Sequence, residues 1–168
     1  MHHETAEYHA ALKRKYSAAA ARPWRFIEPD PPPPDPASQA LYWSERGNHG
    51  LEVAALKEIV KRDPDDAFTL NGLAWVLATC PDASLRDGKM AVETATRACE
   101  LSKWTEASFL DTLAAAYAET GDYTTAVRWQ REAIAKLSAG DPTQAEFSDR
   151  LQLYGSNKPC REDRRKSN

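Results

Sequence analysis

Apolar residues recur along this chain at the three-to-four-residue spacing of amphipathic helices, and β-branched residues never alternate with polar ones for long. The pattern therefore predicts an all-α protein. Pro, Gly and Asp residues punctuate it at the places where helices end and turns begin. We expect helices at residues 4–21, 37–46, 51–62, 66–80, 87–102, 106–120 and 123–138, and a last one that Asp141 caps and Gly155 ends.

Two segments of similar sequence stand forty residues apart. Ala67-Phe-Thr-Leu-Asn-Gly-Leu-Ala-Trp-Val-Leu-Ala recurs as Ala107-Ser-Phe-Leu-Asp-Thr-Leu-Ala-Ala-Ala-Tyr-Ala. Each is followed by a second predicted helix with spaced alanines, Ala91 and Ala98 in the first copy and Ala126 and Ala133 in the second. Repeated helix pairs stack into an array, and such arrays usually bind a partner.

Residues 107–140 resemble a tetratricopeptide repeat, a helix–turn–helix unit of about 34 residues. Small residues stand where two helices of the unit meet, larger apolar residues surround them, and a glycine occupies the turn. The matching positions are Leu110, Leu113, Ala114, Tyr117, Gly121, Tyr123, Ala126, Ala133 and Ile134. Two positions depart from the family pattern, because Gln130 replaces an apolar residue and Ser138 replaces a proline.

Residues 67–106 resemble the same repeat with a longer turn between its helices. The turn, at residues 80–88, is about five residues longer than is usual, a variant found in bacterial tetratricopeptide proteins. Residues 33–66 are a degenerate candidate for an earlier repeat. The resemblance implies an α-solenoid of helical hairpins with a C-terminal capping helix. The matching positions in the long-turn copy are Leu70, Leu73, Ala74, Leu77, Ala91, Ala98 and Leu101.

Composition divides the chain into four parts. Residues 1–27 hold an N-terminal helix and an aromatic anchor, residues 28–36 a proline-rich linker, residues 37–155 the repeats, and residues 156–168 a basic flexible tail. The linker is either a spacer or a ligand for an aromatic groove. The tail is either solvated or a contact for nucleic acid or an acidic partner.

In the tetratricopeptide family the first helix of each pair lines a concave groove. Trp75 either anchors a partner there or packs on a neighbouring helix or the N-terminal segment. The family's clamp for a terminal carboxylate is not implied, because Asp111 and Ala115 supply no positive charge. The resemblance implies a partner-binding set made of Phe68, Asn71, Trp75, Thr79, Ser108, Asp111 and Glu119.

The long turn and the N-terminus offer two further candidate sites. Residues 81–87 form either a binding loop or a turn in which Ser84 and Asp87 cap the next helix. His2, His3 and Glu4 provide few ligands for a metal, so we expect none. No nucleophile with its base and no phosphate loop is visible, so we expect neither catalysis nor a cofactor.

Charge, hydropathy and cysteine spacing narrow the class of partner and the cellular compartment. The net charge of −3 argues against a general nucleic-acid binder. No apolar run approaches about 18 residues, and the N-terminus lacks the apolar segment of a secretory signal. The three cysteines have no metal-binding spacing, so we expect reduced thiols in a cytoplasmic protein.

Three roles remain open from the sequence. The first is an adaptor that holds a peptide or helix in the groove, with a basic amphipathic helix as the best-matched partner. Residues 4–27 of the chain itself could supply such a helix. The second is a self-associating module that uses Trp43, Trp75 or the N-terminal helix as a homo-oligomer interface. The third is an accessory domain of an enzyme complex.

Overall fold

A computed structural model describes residues 7–15, 32–33 and 35–162. Within these ranges every regular element is helical, which confirms the predicted all-α class. None of the described helices combines the length and the apolar character that crossing a bilayer requires. The α-helices are α1 (residues 7–15), α2 (Pro36–Glu45), α3 (His49–Arg62), α4 (Ala67–Thr79), α5 (Gly88–Leu101), α6 (Ala107–Glu119), α7 (Tyr123–Lys136) and α8 (Gln144–Gly155).

The chain forms two compact units, Met1–Ala55 and Leu56–Asn168. In the first unit, Asp35 begins α2 by accepting a backbone N–H of its first turn. Tyr42 and Trp43 meet edge to face with ring centres 4.8 Å apart, and Trp43 is half-buried. The aromatic anchor predicted within residues 1–27, formed by Trp24, Phe26 and Ile27, lies outside the described residues. Most of the proline-rich linker and the candidate ligands His2, His3 and Glu4 lie outside them as well.

The second unit is built from helices that pack on their neighbours in the chain. α4 packs against α5 and α6, α5 packs against α6, α6 against α7, and α7 against α8. The helices approach closely because the side chains at their crossings end at Cβ. Leu73, Leu110 and Leu113 are buried around these crossings, and Tyr117 packs against the same core. The fully buried alanines are Ala74, Ala91, Ala95, Ala98, Ala114, Ala116, Ala126 and Ala133.

Two glycines are required by the geometry of the turns. Gly121 has a φ of 86° in the turn between α6 and α7, a conformation that costs other residues energy. Gly88, at the start of α5, approaches the end of α6, where an added Cβ would lie 3.0 Å from the Thr120 methyl carbon. The predicted role of Gly121 follows from its φ, whereas the role of Gly88 depends on a contact between helices.

The ends of α8 differ from the sequence expectation. Asp141 does not cap the helix, because its carboxylate accepts the N–H and the hydroxyl of Thr143 at 2.9 and 2.7 Å in the preceding turn. The helix begins only at Gln144. At the other end, Gly155 is the last helical residue, and the left-handed position belongs to Asn157, with a φ of 55°.

Asp66 caps the start of α4. Its carboxylate accepts the N–H groups of Phe68 and Thr69 at 3.1 and 3.3 Å and the Thr69 hydroxyl at 2.6 Å. The hydrogen bond from the Thr69 side chain lowers the pKa of Asp66 in spite of its partial burial. The ionised carboxylate therefore fixes the point at which α4 begins.

We expect Asp66→Ala to lower the free energy of unfolding by about 1 kcal/mol at neutral pH, because the cap is lost. The pKa is lower in the folded state, so this stability is complete above the ordinary Asp value of 3.8 and disappears as the pH falls below it. Urea unfolding of both proteins from pH 7 to pH 2 measures the difference. Asp66→Asn is the control, because it keeps an acceptor and should retain most of the stability without the pH dependence. Equal losses in the two variants would contradict the prediction.

Candidate functional site

The seven residues predicted to line the groove of α4 and α6 differ widely in exposure. Phe68 is 74% exposed and Ser108 is also open to solvent. Asn71, Trp75 and Glu119 are half-buried. Thr79 and Asp111 are buried, at 0% and 4% exposure, and therefore are not free to contact a partner in this structure. Part of the predicted groove is thus covered by the chain itself.

Asp111 is the centre of a buried polar cluster that joins α6, α7 and α8. Its Oδ1 atom accepts the Nε–H of Arg150 at 2.8 Å and the side-chain amide of Gln130 at 2.6 Å. The same amide nitrogen lies 3.1 Å from the carbonyl oxygen of Phe147. Burial raises the pKa of Asp111, and Arg150 and Gln130 oppose that effect. Because the carboxylate is enclosed and paired, Asp111 serves the contact between helices.

The hydrogen bonds of this cluster explain why a glutamine stands in the core at position 130. It is fully buried at a position where the repeat pattern expects an apolar side chain, and it reaches the carboxylate of the preceding helix. A buried amide without such a partner would be costly. The sequence therefore contained one sign that Asp111 is internal, namely a polar residue, Gln130, at a position that is usually apolar.

Trp75 is half-buried, and Arg150 of α8 lies over its ring. The guanidinium carbon of Arg150 lies 5.4 Å from the centre of the Trp75 ring and 5.0 Å from that of Phe147. Arg150 thus joins a carboxylate to two aromatic faces, which suits a planar cation. Of residues 4–27, which were predicted to dock over Trp75, residues 7–15 form α1 in the first unit and the others lie outside the described ranges.

Residues 159–162, which we call the C-terminal segment, lie across the ends of α4 and α6. The N–H of Glu162 donates to the Thr79 carbonyl oxygen at 2.9 Å. The Arg161 guanidinium contacts the Ala78 carbonyl oxygen at 3.4 Å and the Glu119 carboxylate at 2.7 Å. These contacts occupy carbonyl groups that a helix end leaves without partners. The segment is docked, which differs from the flexible tail expected from residue 156, and residues 163–168 lie outside the described ranges.

Glu119 also connects the C-terminal segment to the long turn after α4. Its other oxygen accepts the Nε–H of Arg86 at 2.8 Å, and Arg86 donates to the Cys80 carbonyl oxygen at 2.8 Å. Asp87 caps α5 by accepting the N–H of Met90 at 2.9 Å, as predicted. Ser84 does not cap that helix, because its hydroxyl donates to Asp82 within the turn. The geometry favours the capped-turn interpretation of residues 81–87.

Tyr154 lies beneath the C-terminal segment with no exposed surface. Its hydroxyl has no hydrogen-bond partner among the described residues. Burial raises the pKa of Cys160 and is the largest effect on it, and Arg150 and Arg161 act in the opposite direction.

No group of three His, Cys, Asp or Glu side chains in the described ranges is arranged to hold a metal ion. No family model matches the chain, and no curated protein is detectably similar to it.

Proposed function

We propose that this chain is a non-catalytic, tetratricopeptide-like adaptor that binds a peptide segment of a partner across α4 and α6. The observation that carries the proposal is the docking of the C-terminal segment on these helices. A backbone N–H bond to Thr79 and an arginine on Glu119 are contacts that any peptide with a well-placed cation can make. The segment therefore acts as a ligand within the chain.

The helix arrangement supports the tetratricopeptide assignment. Two helix pairs, α4 with α5 and α6 with α7, follow one another, and α4 also packs against α6. The positions that match the family pattern include alanines with no exposed surface at these crossings. Gly121 has the positive φ that the turn within a repeat requires. In such an array, α4 and α6 are the first helices of successive repeats and α8 is the cap.

The first turn of α4, which the C-terminal segment does not contact, offers an apolar anchor point on the same surface. Phe68 is exposed, and its ring meets that of buried Phe109 edge to face at 5.3 Å. A partner with an apolar side chain for Phe68 and a cation for Glu119 matches both ends of the surface. The cation would compete with Arg161, so partner binding and docking of the C-terminal segment exclude each other at Glu119.

The thiols fit the reducing cytoplasm in which we place this adaptor. All three cysteines are free, and Cys80 and Cys99 are buried. Burial raises the pKa of Cys99 to about 12. Thiols of this kind are inert core residues.

A chain that ends at Asn157 should bind a synthetic peptide of residues 158–168, because the docking surface is vacant in that chain. Full-length protein should bind the labelled peptide about tenfold more weakly or not at all, because its own segment competes at high effective concentration. Fluorescence anisotropy of the peptide measures both affinities, and circular dichroism checks that the shortened chain is helical.

A peptide with Arg161→Ala is the matched control. It should bind the shortened chain about tenfold more weakly, because a charge-assisted contact with Glu119 is lost. Full-length Arg161→Ala provides a second route if the shortened chain does not fold, because its own segment no longer occupies Glu119 and it should admit the wild-type peptide that the native chain excludes. Absence of binding in both formats, or equal affinity for the two peptides, would refute the proposal.

A further inference from the structure

Two arginines, Arg128 and Arg131, lie on the exposed side of α7, and the pKa of the Asp122 carboxyl is lowered by its hydrogen bonds and, to a smaller extent, by Arg128. Arg128 and Arg131 form no ion pair in the described ranges, although Glu132 stands one helical turn after Arg128. Unpaired arginines on one helix of an acidic protein create a local positive surface. The other described arginines of the unit Leu56–Asn168 each lie against a carboxylate, and they are Arg62, Arg86, Arg97, Arg150 and Arg161.

Two stacked indole rings lie beside these arginines. The ring centres of Trp104 and Trp129 are 5.1 Å apart with planes inclined by 17°, and the Arg128 guanidinium carbon lies 4.9 Å from the Trp129 ring centre. The turn after α5 presents Trp104, with Lys103 and Trp104 at φ values of 54° and 61°. This left-handed conformation costs residues other than glycine energy, so the turn holds Trp104 in place against a conformational preference.

Two clefts border α7, and both are lined by Arg128 and Glu132. The first has a volume of about 370 Å³ and lies over the stacked rings. The second has a volume of about 490 Å³, lies toward the end of α8 and includes Arg131. The first cleft has an apolar floor and a charged edge, which suits one apolar side chain flanked by charges. Its lining residues are Trp104, Leu110, Arg128, Trp129, Glu132 and Lys136.

We infer that this surface binds an acidic peptide segment that carries one large apolar side chain. The apolar side chain occupies the first cleft, and the acidic residues pair with Arg128, Arg131 and Lys136. The indole Nε1–H of Trp129 has no acceptor among the described residues. A carboxylate of the peptide provides that acceptor once the side chains covering the nitrogen move aside.

A nucleic-acid strand fits this surface less well. Bases bind single-strand proteins by stacking on exposed aromatic faces, whereas Trp104 and Arg128 both lie against Trp129. The chain also has a net charge of −3, which disfavours a long polyanion. The surface shares no residue with the set predicted on α4 and α6, so it stands independently of the adaptor groove.

The experiment uses full-length protein and a labelled peptide in which one leucine is flanked by glutamates. Arg128→Gln with Arg131→Gln should weaken binding about tenfold, because two charge contacts are lost. Lys57→Gln with Lys89→Gln removes the same charge from exposed residues elsewhere and should change the affinity less than about twofold. Peptides with leucine replaced by serine, or glutamate by glutamine, should also bind about tenfold more weakly, which tests the cleft without altering the protein.

Three results would overturn the inference. The acidic peptide could fail to bind at millimolar concentration. The Lys57 and Lys89 control could weaken binding as much as the α7 variant, which would mean that only net charge matters. A labelled oligothymidylate of matched length could bind more tightly than the peptide, which would identify a nucleic-acid surface.

Discussion

Asp111→Ala should lower the free energy of unfolding by about 3 kcal/mol, because it leaves a buried guanidinium without its carboxylate. The Arg150 side chain is 15% exposed and its Nε lies 2.8 Å from Asp111. The amide of Gln130 loses the same acceptor. Urea unfolding followed by circular dichroism at neutral pH measures the loss.

A double-mutant cycle separates the pair from its surroundings. Arg150→Ala and the variant with both substitutions complete the cycle, and a coupling of about 1 kcal/mol or more is expected for groups in direct contact. Asp149→Ala, an exposed neighbour on α8, is the control and should change stability by less than about 0.5 kcal/mol. Additive losses from Asp111 and Arg150 would contradict the buried-pair interpretation.

Ala133→Leu should lower the free energy of unfolding by about 2 kcal/mol through overpacking. Ala133 has no exposed surface and belongs to the core cluster that contains Phe109 and Leu113. A leucine there must push helices apart or leave its preferred rotamer. Thermal and urea unfolding measure the loss.

Ala135→Leu is the matched control on the same helix. Ala135 is exposed, so the added methyl groups extend into solvent and stability should change by less than about 0.5 kcal/mol. An equal effect of the two substitutions, or no effect of Ala133→Leu, would mean that α7 does not make the close contact described above.

The helices could be predicted from the sequence because their signals are local. Apolar spacing and end residues placed α4 to α7 within one or two residues of their observed bounds. The start of α8 was misplaced for a reason that is also local: Asp141 and Pro142 form a turn of their own before the helix. Turn and cap use the same residue types, so the sequence does not distinguish them.

The environment of the candidate groove could not be predicted in the same way. Spacing put Asp111 on the open face of α6, but the residue is buried, and its burial depends on Gln130 and Arg150, which follow it by 19 and 39 residues. The C-terminal segment has no apolar period at all. Its docking depends on helix-end carbonyl groups and on Glu119, which become neighbours only after the helices pack.

The C-terminal segment makes contacts between residues that are far apart in the sequence. The extensive helix contacts join elements that are adjacent or next but one in the chain, whereas the contact of Arg161 with Ala78 joins residues 83 positions apart. Short-range contacts form rapidly, and closing a long loop costs entropy that grows with its length. We therefore expect the segment to join last, onto a finished surface, and to leave first in local opening while the helices remain intact.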